Sequence, residues 1–372
     1  MGTTTNFAIP YPEPTDFVAD GATQMENIAE RTDLALFALG SGRNRLINGD
    51  FRVAQRGTSF VAGANNDDTY NLDRWTLLSD GNDIVDVTQA NVAPSGGLFS
   101  IGLDVETINK KFGIVQIIEQ RNIVGMFNQP LTLSFSARTT GSSIGNLKAV
   151  ILAWNSTADT VTSDVVSSWN ADGVTPTFAT NWTAENTPQN LAPSNTWTRY
   201  SITATLDTAN TNNVAVFIWC DDMTTSLGDF LYITDVQLEV GSLATPFDRK
   251  TMGETFADCL RYYWRMTGAQ GSFTGFLNGS ATGGTAPAVR RNIANNPVPM
   301  RSAPSHSFSG TVQYGNGTGT YFNITALGFD SSSTFMTSID VSGGSAITAG
   351  VACHVLFSTT SASDWFEAVA EL

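Results

Sequence analysis

Short runs in which apolar and hydroxylic residues alternate dominate the middle of the chain. In Leu131-Thr132-Leu133-Ser134-Phe135-Ser136-Ala137 the odd positions are apolar and the even ones carry hydroxyls. Side chains of a strand alternate between faces. The pattern therefore predicts Leu131, Leu133, Phe135 and Ala137 on a core, with Thr132, Ser134 and Ser136 in water. Tyr200, Ile202, Ala204 and Leu206 repeat it, as do Phe230, Tyr232, Val236, Leu238 and Val240. Many such strands, parted by polar turns over residues 43–250, predict an antiparallel β-sandwich. The longest apolar runs, Ala149–Trp154 and Val214–Cys220, have the length of strands and fall far short of the roughly 20 residues of a membrane helix. No membrane insertion is expected.

The flanks read differently. Residues 1–21 form a proline-punctuated arm, where Pro10, Pro12 and Pro14 enforce extended backbone and remove ladder donors. Its apolar side chains, Phe7, Ile9, Tyr11 and Phe17, favour docking onto another protein over a free linker, because linkers are usually polar. Residues 22–42 follow as a helix and hinge. Asp20 offers an N-cap and Gly40-Ser41-Gly42 a stop beyond Leu39. Met25, Ile28, Thr32, Ala35 and Leu39 fall at spacings of three and four, a short heptad seam that predicts a homo-oligomer interface, a coiled coil too short to stand alone. Residues 251–372 open with a predicted helical turn from Glu254 to about Arg265, striped by Phe256, Leu260 and Tyr263. A second β-rich domain with glycine-rich loops completes the chain. The predicted class is mainly β.

Several stretches resemble phage tail-fibre proteins. Leu46-Ile47-Asn48-Gly49-Asp50-Phe51, Gln55–Phe60 and Leu72-Asp73-Arg74-Trp75 do so at the opening of the sandwich. Asp235–Ser242 and Ala244–Arg249 do so at its close. Ile9–Pro12 and Val18–Gly21 are similar to the attachment segments of such fibres, and the likeness extends to Cys259–Tyr263, Pro297–Pro304 and Glu367–Leu372. The resemblance implies a jelly-roll domain similar to carbohydrate-binding modules. It also implies a homotrimeric virion protein of the tail, assembled in the host cytoplasm, docked on other virion proteins by its arm and adhering to host-surface glycans. Two rivals stay open: a head or neck decoration without a receptor role, and a polysaccharide-degrading spike.

Composition narrows the choice. The formal charge of −15 argues against nucleic acid and against an anionic membrane surface. With 41% hydrophobic and 10% aromatic residues, packed cores are expected rather than disorder. Cys220, Cys259 and Cys353 are odd in number and widely spaced, which predicts buried free thiols in a reducing compartment. No signal-peptide pattern opens the chain. The two histidines, His306 and His354, have no metal-ligand spacing, and no nucleophile elbow or phosphate loop occurs. A glycosidase needs two carboxyls roughly 5–9.5 Å apart; Asp67-Asp68 and Asp221-Asp222 are adjacent pairs that point apart in extended chain. No enzymatic activity is expected.

Ligand-binding candidates are few. Trp75, Trp154 and Trp219 lie in apolar runs and predict core. Trp169 and Trp182 sit in polar company with Asn170, Asp172, Asn181 and Glu185; either they stack on a sugar or they cap the edge of the sandwich. The environment of Trp197 is open, since its parity opposes that of Tyr200 and Ile202. The resemblance also implies a structural calcium clipping the first and last strands, for which Asp50 and Asp235 are the candidates. Alternatively, those carboxylates bond turn amides.

Overall fold

The computed structural model describes residues 2–3, 9–11, 13, 20–38, 42–267, 274–280, 290–310, 312–315, 321–323, 326–342, 352–357 and 364–372. Phe7, Phe17 and Leu39 lie outside them, as does the side chain of Ala35. Met1–Met252 with Leu372 form one compact unit and Gly253–Glu371 a second.

In the arm, β1 (Gly2–Thr3) pairs antiparallel with β2 (Pro10–Tyr11). Ile9 is half-buried and Tyr11 exposed. α1 runs from Gly21 to Ala38. Within the predicted seam, Met25 is 72% exposed, Thr32 is exposed and Ile28 half-buried.

The first unit is a jelly-roll sandwich of two antiparallel sheets. One has the order β13 (Trp182–Ala184), β10 (Leu147–Trp154), β15 (Asn213–Cys220), β8 (Phe112–Ile118), β5 (Thr76–Ser79) and β4 (Thr69–Tyr70). The other has the order β14 (Thr198–Thr205), β9 (Pro130–Thr139), β16 (Phe230–Val240), β7 (Ser100–Val105), β6 (Val85–Ala90) and β3 (Ser59–Phe60). A ribbon of β11 (Val166–Ser168) and β12 (Thr177–Phe178) lies in the excursion between β10 and β13. Leu131, Leu133, Phe135 and Ala137 enter the core between the sheets as predicted, beside Trp75, Leu147 and Ile218. Every residue of β15 is buried. Val214, Val216, Ile218 and Cys220 face the core, while Phe217 and Trp219 stack on the other side at 4.9 Å. A strand covered on both faces reads as a continuous apolar run, which explains Val214–Cys220.

Two parity expectations fail. Along β16 the core takes Leu231 and Ile233, then Val236 and Leu238. The register against β9 shifts between Thr234 and Gln237, with Asp235 in the left-handed region at φ 51°. The extra residue of a bulge swaps the faces, so Phe230 and Tyr232 lie on the outer side and not in the core. Thr132, Ser134 and Ser136, expected in water, are buried. The chain after β16 folds back over them. Thr132 Oγ1 donates to Gly241 O at 2.7 Å, Arg199 bonds both Ser134 Oγ and Thr245 O, and Thr245 bonds Glu239.

The opening and closing motifs meet at this seam. Arg45 N donates to Leu238 O, and Asn44 Nδ2 donates to Val236 O. Asn48 adopts φ 58° and its carbonyl accepts from Trp75 Nε1. A Cβ on Gly49 would run into the Val236 carbonyl, which is why the Asn48-Gly49 pair suits the closure.

In the second unit, the helix predicted to about Arg265 is shorter. α2 spans Met252–Leu260, and Tyr263 starts a strand. Phe256 of its stripe is exposed, whereas Cys259 and Leu260 are buried. A three-stranded sheet has the order β17 (Tyr263–Thr267), β26 (Trp365–Val369), β20 (Ser305–Ser309). A seven-stranded one has the order β22 (Tyr321–Asn323), β21 (Val312–Gly315), β25 (Ala352–Phe357), β18 (Thr274–Ser280), β19 (Arg290–Asn295), β24 (Met336–Ser342), β23 (Ala326–Ser332). Trp264, Met300, Ile339 and Phe366 form the core.

Candidate functional site

The bulge at Asp235 creates the most ligand-like surface of the sandwich. On the outer face of the second sheet, Tyr232 pairs with Arg138 on one side and Gly102 on the other, and Gly102 pairs with Thr88. Trp197, just before β14, extends this row beyond Arg138. The Arg138 guanidinium lies 5.6 Å from the Trp197 ring centroid and 5.0 Å from that of Tyr232. Phe230, two residues before Tyr232, stacks on it at 5.2 Å with the planes 3° apart. Trp197, Arg138, Tyr232 and Phe230 are all half-exposed. Gly102 makes room for the row, because a Cβ there would meet the Tyr232 ring at 3.0 Å. The result is a band of aromatic surface with a cation held between two rings, a contact worth about 0.5–1 kcal/mol where exposed.

The next row carries acid. Asp104 pairs with Phe230 and with Asp86. Partial burial raises both carboxyls above the usual range, and neighbouring carboxylates add to it: Glu106 and Asp83 for Asp86, and Glu106, Asp86 and Asp229 for Asp104. Asn65 Nδ2 donates to Asp83 and Asp86 at 2.8 and 3.0 Å. Asp104 Oδ1 is enclosed without a hydrogen-bond partner among the described residues. Burial also raises the Tyr232 phenol, against the opposing charge of Arg138. Flat rings match the C–H face of a sugar, while carboxylates accept and a guanidinium donates hydrogen bonds to its substituents.

The residues singled out from sequence lie elsewhere. Trp182 is buried and packs against Trp154 at 5.3 Å. Trp169 is half-buried, edge-on to Phe217 at 5.9 Å. Both pack on the outer face of the first sheet, Trp182 as a buried edge residue and Trp169 with part of its ring exposed. Asn170 closes its own loop through Nδ2 to Thr175 O at 2.7 Å, and Asn181 is a turn residue at φ 71°. Buried charge pins this excursion. Asp221 lies 2.6 Å from both Lys111 and Lys148. Those ammonium groups donate to the carbonyls of Ala171, Gly173 and Val174 at 2.7–2.8 Å.

Asp50 and Asp235 do converge. Between them sits the Arg249 guanidinium, 2.9 Å from Asp50 Oδ2 and 2.9 Å from Asp235 Oδ1, and Arg52 also pairs with Asp50. The place foreseen for calcium is thus held by an arginine of the closing motif. Among the described residues no cluster of three or more His, Cys, Asp or Glu could hold a metal, and no helix is long and apolar enough to cross a membrane. Sequence reasoning missed Tyr232 and Phe230 because it carried one parity through β16. The available signal was Trp197, whose parity opposed the inward residues of β14.

No family model matches the chain, and no curated protein matches it. Among solved structures, the enzymatically active domain of tailspike protein 4 from bacteriophage CBA120 aligns at 17% identity and TM-score 0.33, over 54% of this chain and 22% of that one. The chain therefore matches under a quarter of that tailspike domain. A family 11 carbohydrate-binding module from Clostridium thermocellum, in complex with a β-1,3-1,4-mixed-linked tetrasaccharide, aligns at 15% identity and TM-score 0.28, over 50% of this chain and 97% of that one. A xylan-binding domain from Paenibacillus barcinonensis aligns at 13% and 0.29, over 46% and 87%. At these values no ligand or partner of this chain follows from the likeness; the sandwich stands on its own strand pairings.

Proposed function

We propose that the chain is an adhesive structural protein of a phage tail fibre. It assembles as a homotrimer through α1, docks on other virion proteins through residues 1–21, and binds a host-surface glycan without cleaving it. The observation that carries the binding reading is the single row of Trp197, Arg138 and Tyr232, backed by Phe230, across the open outer face of the second sheet. The buried free thiol of Cys220 fits folding in the host cytoplasm. The test is adsorption of labelled full-length protein to host cells with Trp197→Ala and Tyr232→Ala. Each variant should adsorb at least tenfold more weakly while sedimenting as wild type does. Unchanged adsorption by both would remove the site, leaving the head or neck decoration reading.

One observation favours a second reading. Asp86 and Asp104 are directly cross-strand, beside the aromatic band, with raised pKa values. Two carboxyls beside a sugar platform are the minimum of a glycosidase. Release of reducing ends from host polysaccharide, abolished by Asp104→Asn, would establish a degrading spike.

A further inference from the structure

We infer that Arg138 selects a glycan carrying one carboxylated sugar flanked by neutral sugars. This rests on the glycan-binding reading of the same face. The chain has 34 acidic and 19 basic residues, and its cations generally find carboxylates. Arg52 and Arg249 pair with Asp50, Arg43 with Asp248, Lys110 with Asp80, and Arg265 with Glu367. Arg138 has no carboxylate partner among the described residues; its Nε is enclosed, and its guanidinium hydrogen-bonds the Tyr232 hydroxyl. It is nonetheless held in place, between the rings of Trp197 and Tyr232. A guanidinium fixed in this way leaves the rest of its donors for a carboxylate, with little side-chain entropy left to lose. Neutral sugars alone would use the rings and leave the positive charge without an anion.

The neighbouring row limits the anion to one. Asp104, beside Phe230, and Asp86 across from it lie one pair of residues, about 7 Å, along the strands from the row of Tyr232. That is within the Debye length of about 8 Å at physiological salt. A polymer charged on every sugar would place its next anion against these carboxylates, whereas a neutral sugar would bring them hydroxyl donors. The acid rim thus rejects polyanions that Arg138 alone would accept.

The experiment uses the full chain on an array of bacterial surface heteropolysaccharides, neutral polysaccharides and homopolyuronates. Each acidic glycan is printed twice, before and after chemical reduction of its carboxyls to primary alcohols. The expected result is retention of heteropolysaccharides with one acidic sugar per repeat, weakened at least tenfold by reduction, with homopolyuronates bound weakly. Arg138→Gln should make the native and reduced glycans equal, and Arg138→Lys should restore part of the difference; the lysine variant keeps the test open if the glutamine variant misfolds. Preference for neutral glycans, or indifference to carboxyl reduction, would overturn the inference while leaving glycan binding intact. No retention of any glycan would overturn both.

Discussion

The two outer faces of the sandwich carry aromatic residues to opposite ends. On the first sheet, Phe217 and Trp219 lie under the excursion that bears Trp169, and Trp182 packs on Trp154 at the sheet edge. On the second, Trp197, Tyr232 and Phe230 form a half-exposed row, although the same sheet is covered farther along by the chain after β16. Local polarity does not separate the two cases. Trp169 has serines and asparagines for sequence neighbours, yet its ring packs on Phe217. What decides is whether another stretch of chain is fastened over the face. On the first sheet the fastening is ionic: Asp221 holds Lys111 and Lys148, and they hold the carbonyls of the loop at 171–174.

Breaking that fastening should give the largest effect. Asp221→Ala leaves two ammonium groups in a closed environment without their carboxylate, a loss of about 3–5 kcal/mol. Urea unfolding should show it as a lower midpoint with an unchanged slope, and Trp169, half-buried in the native chain, should become more accessible to an aqueous quencher. A neutral outcome would mean that the roof is held by packing alone. Trp182→Ala comes next, at about 3 kcal/mol for a buried indole; its adsorption to host cells, corrected for the folded fraction, should stay at the wild-type level. Trp197→Ala should do the reverse, with stability within about 1 kcal/mol of wild type, as for other surface-side substitutions, and adsorption lost. If Trp182 and Trp197 behaved alike, the distinction between roofed and open faces would fall.

How far the sequence could be read follows from the same contrast. Alternation along β9 and β14 placed the inward residues correctly, since one strand face is a local property. The closing of the sandwich was legible too, because the opening and closing motifs do meet around Asp50 and Asp235. What was not legible depends on one extra residue or on distant chain. The bulge at Asp235 inverts β16 and brings Tyr232 out to Arg138. Ser134 and Thr132 look like solvent-facing hydroxyls until Arg199 and Gly241 are placed over them. Arg249 supplies the positive charge that a calcium ion would have supplied, and nothing in its spacing from Asp50 announces that.

The smallest expected effect separates the two units by pH. In the first unit, burial raises Asp67, Asp164, Asp222 and Asp235 as well as the pair on the outer face. A carboxyl with a raised folded pKa binds its proton more readily in the folded state, so acidification through that pKa toward the unfolded value, ~3.9 for Asp, stabilises the first unit. In the second unit, burial lowers His306 to about 4, from an unfolded value of 6.5. Its ring stacks on Phe366 at 5.5 Å and meets Thr337 Oγ1 at 3.1 Å. Here the unfolded chain takes up the proton first, so stability is complete above pH 6.5 and is lost as pH falls from there toward about 4. Cys259 and Cys220, both buried, report on the two units separately. Labelling with a pyridyl disulfide across a urea series at pH 7 and pH 5, followed by peptide mass analysis, should move the Cys259 transition to lower urea at pH 5. The Cys220 transition should hold or rise. His306→Gln should cancel the shift at Cys259. If both transitions moved together and ignored that substitution, the two units would share one titration and would not differ in their response to pH.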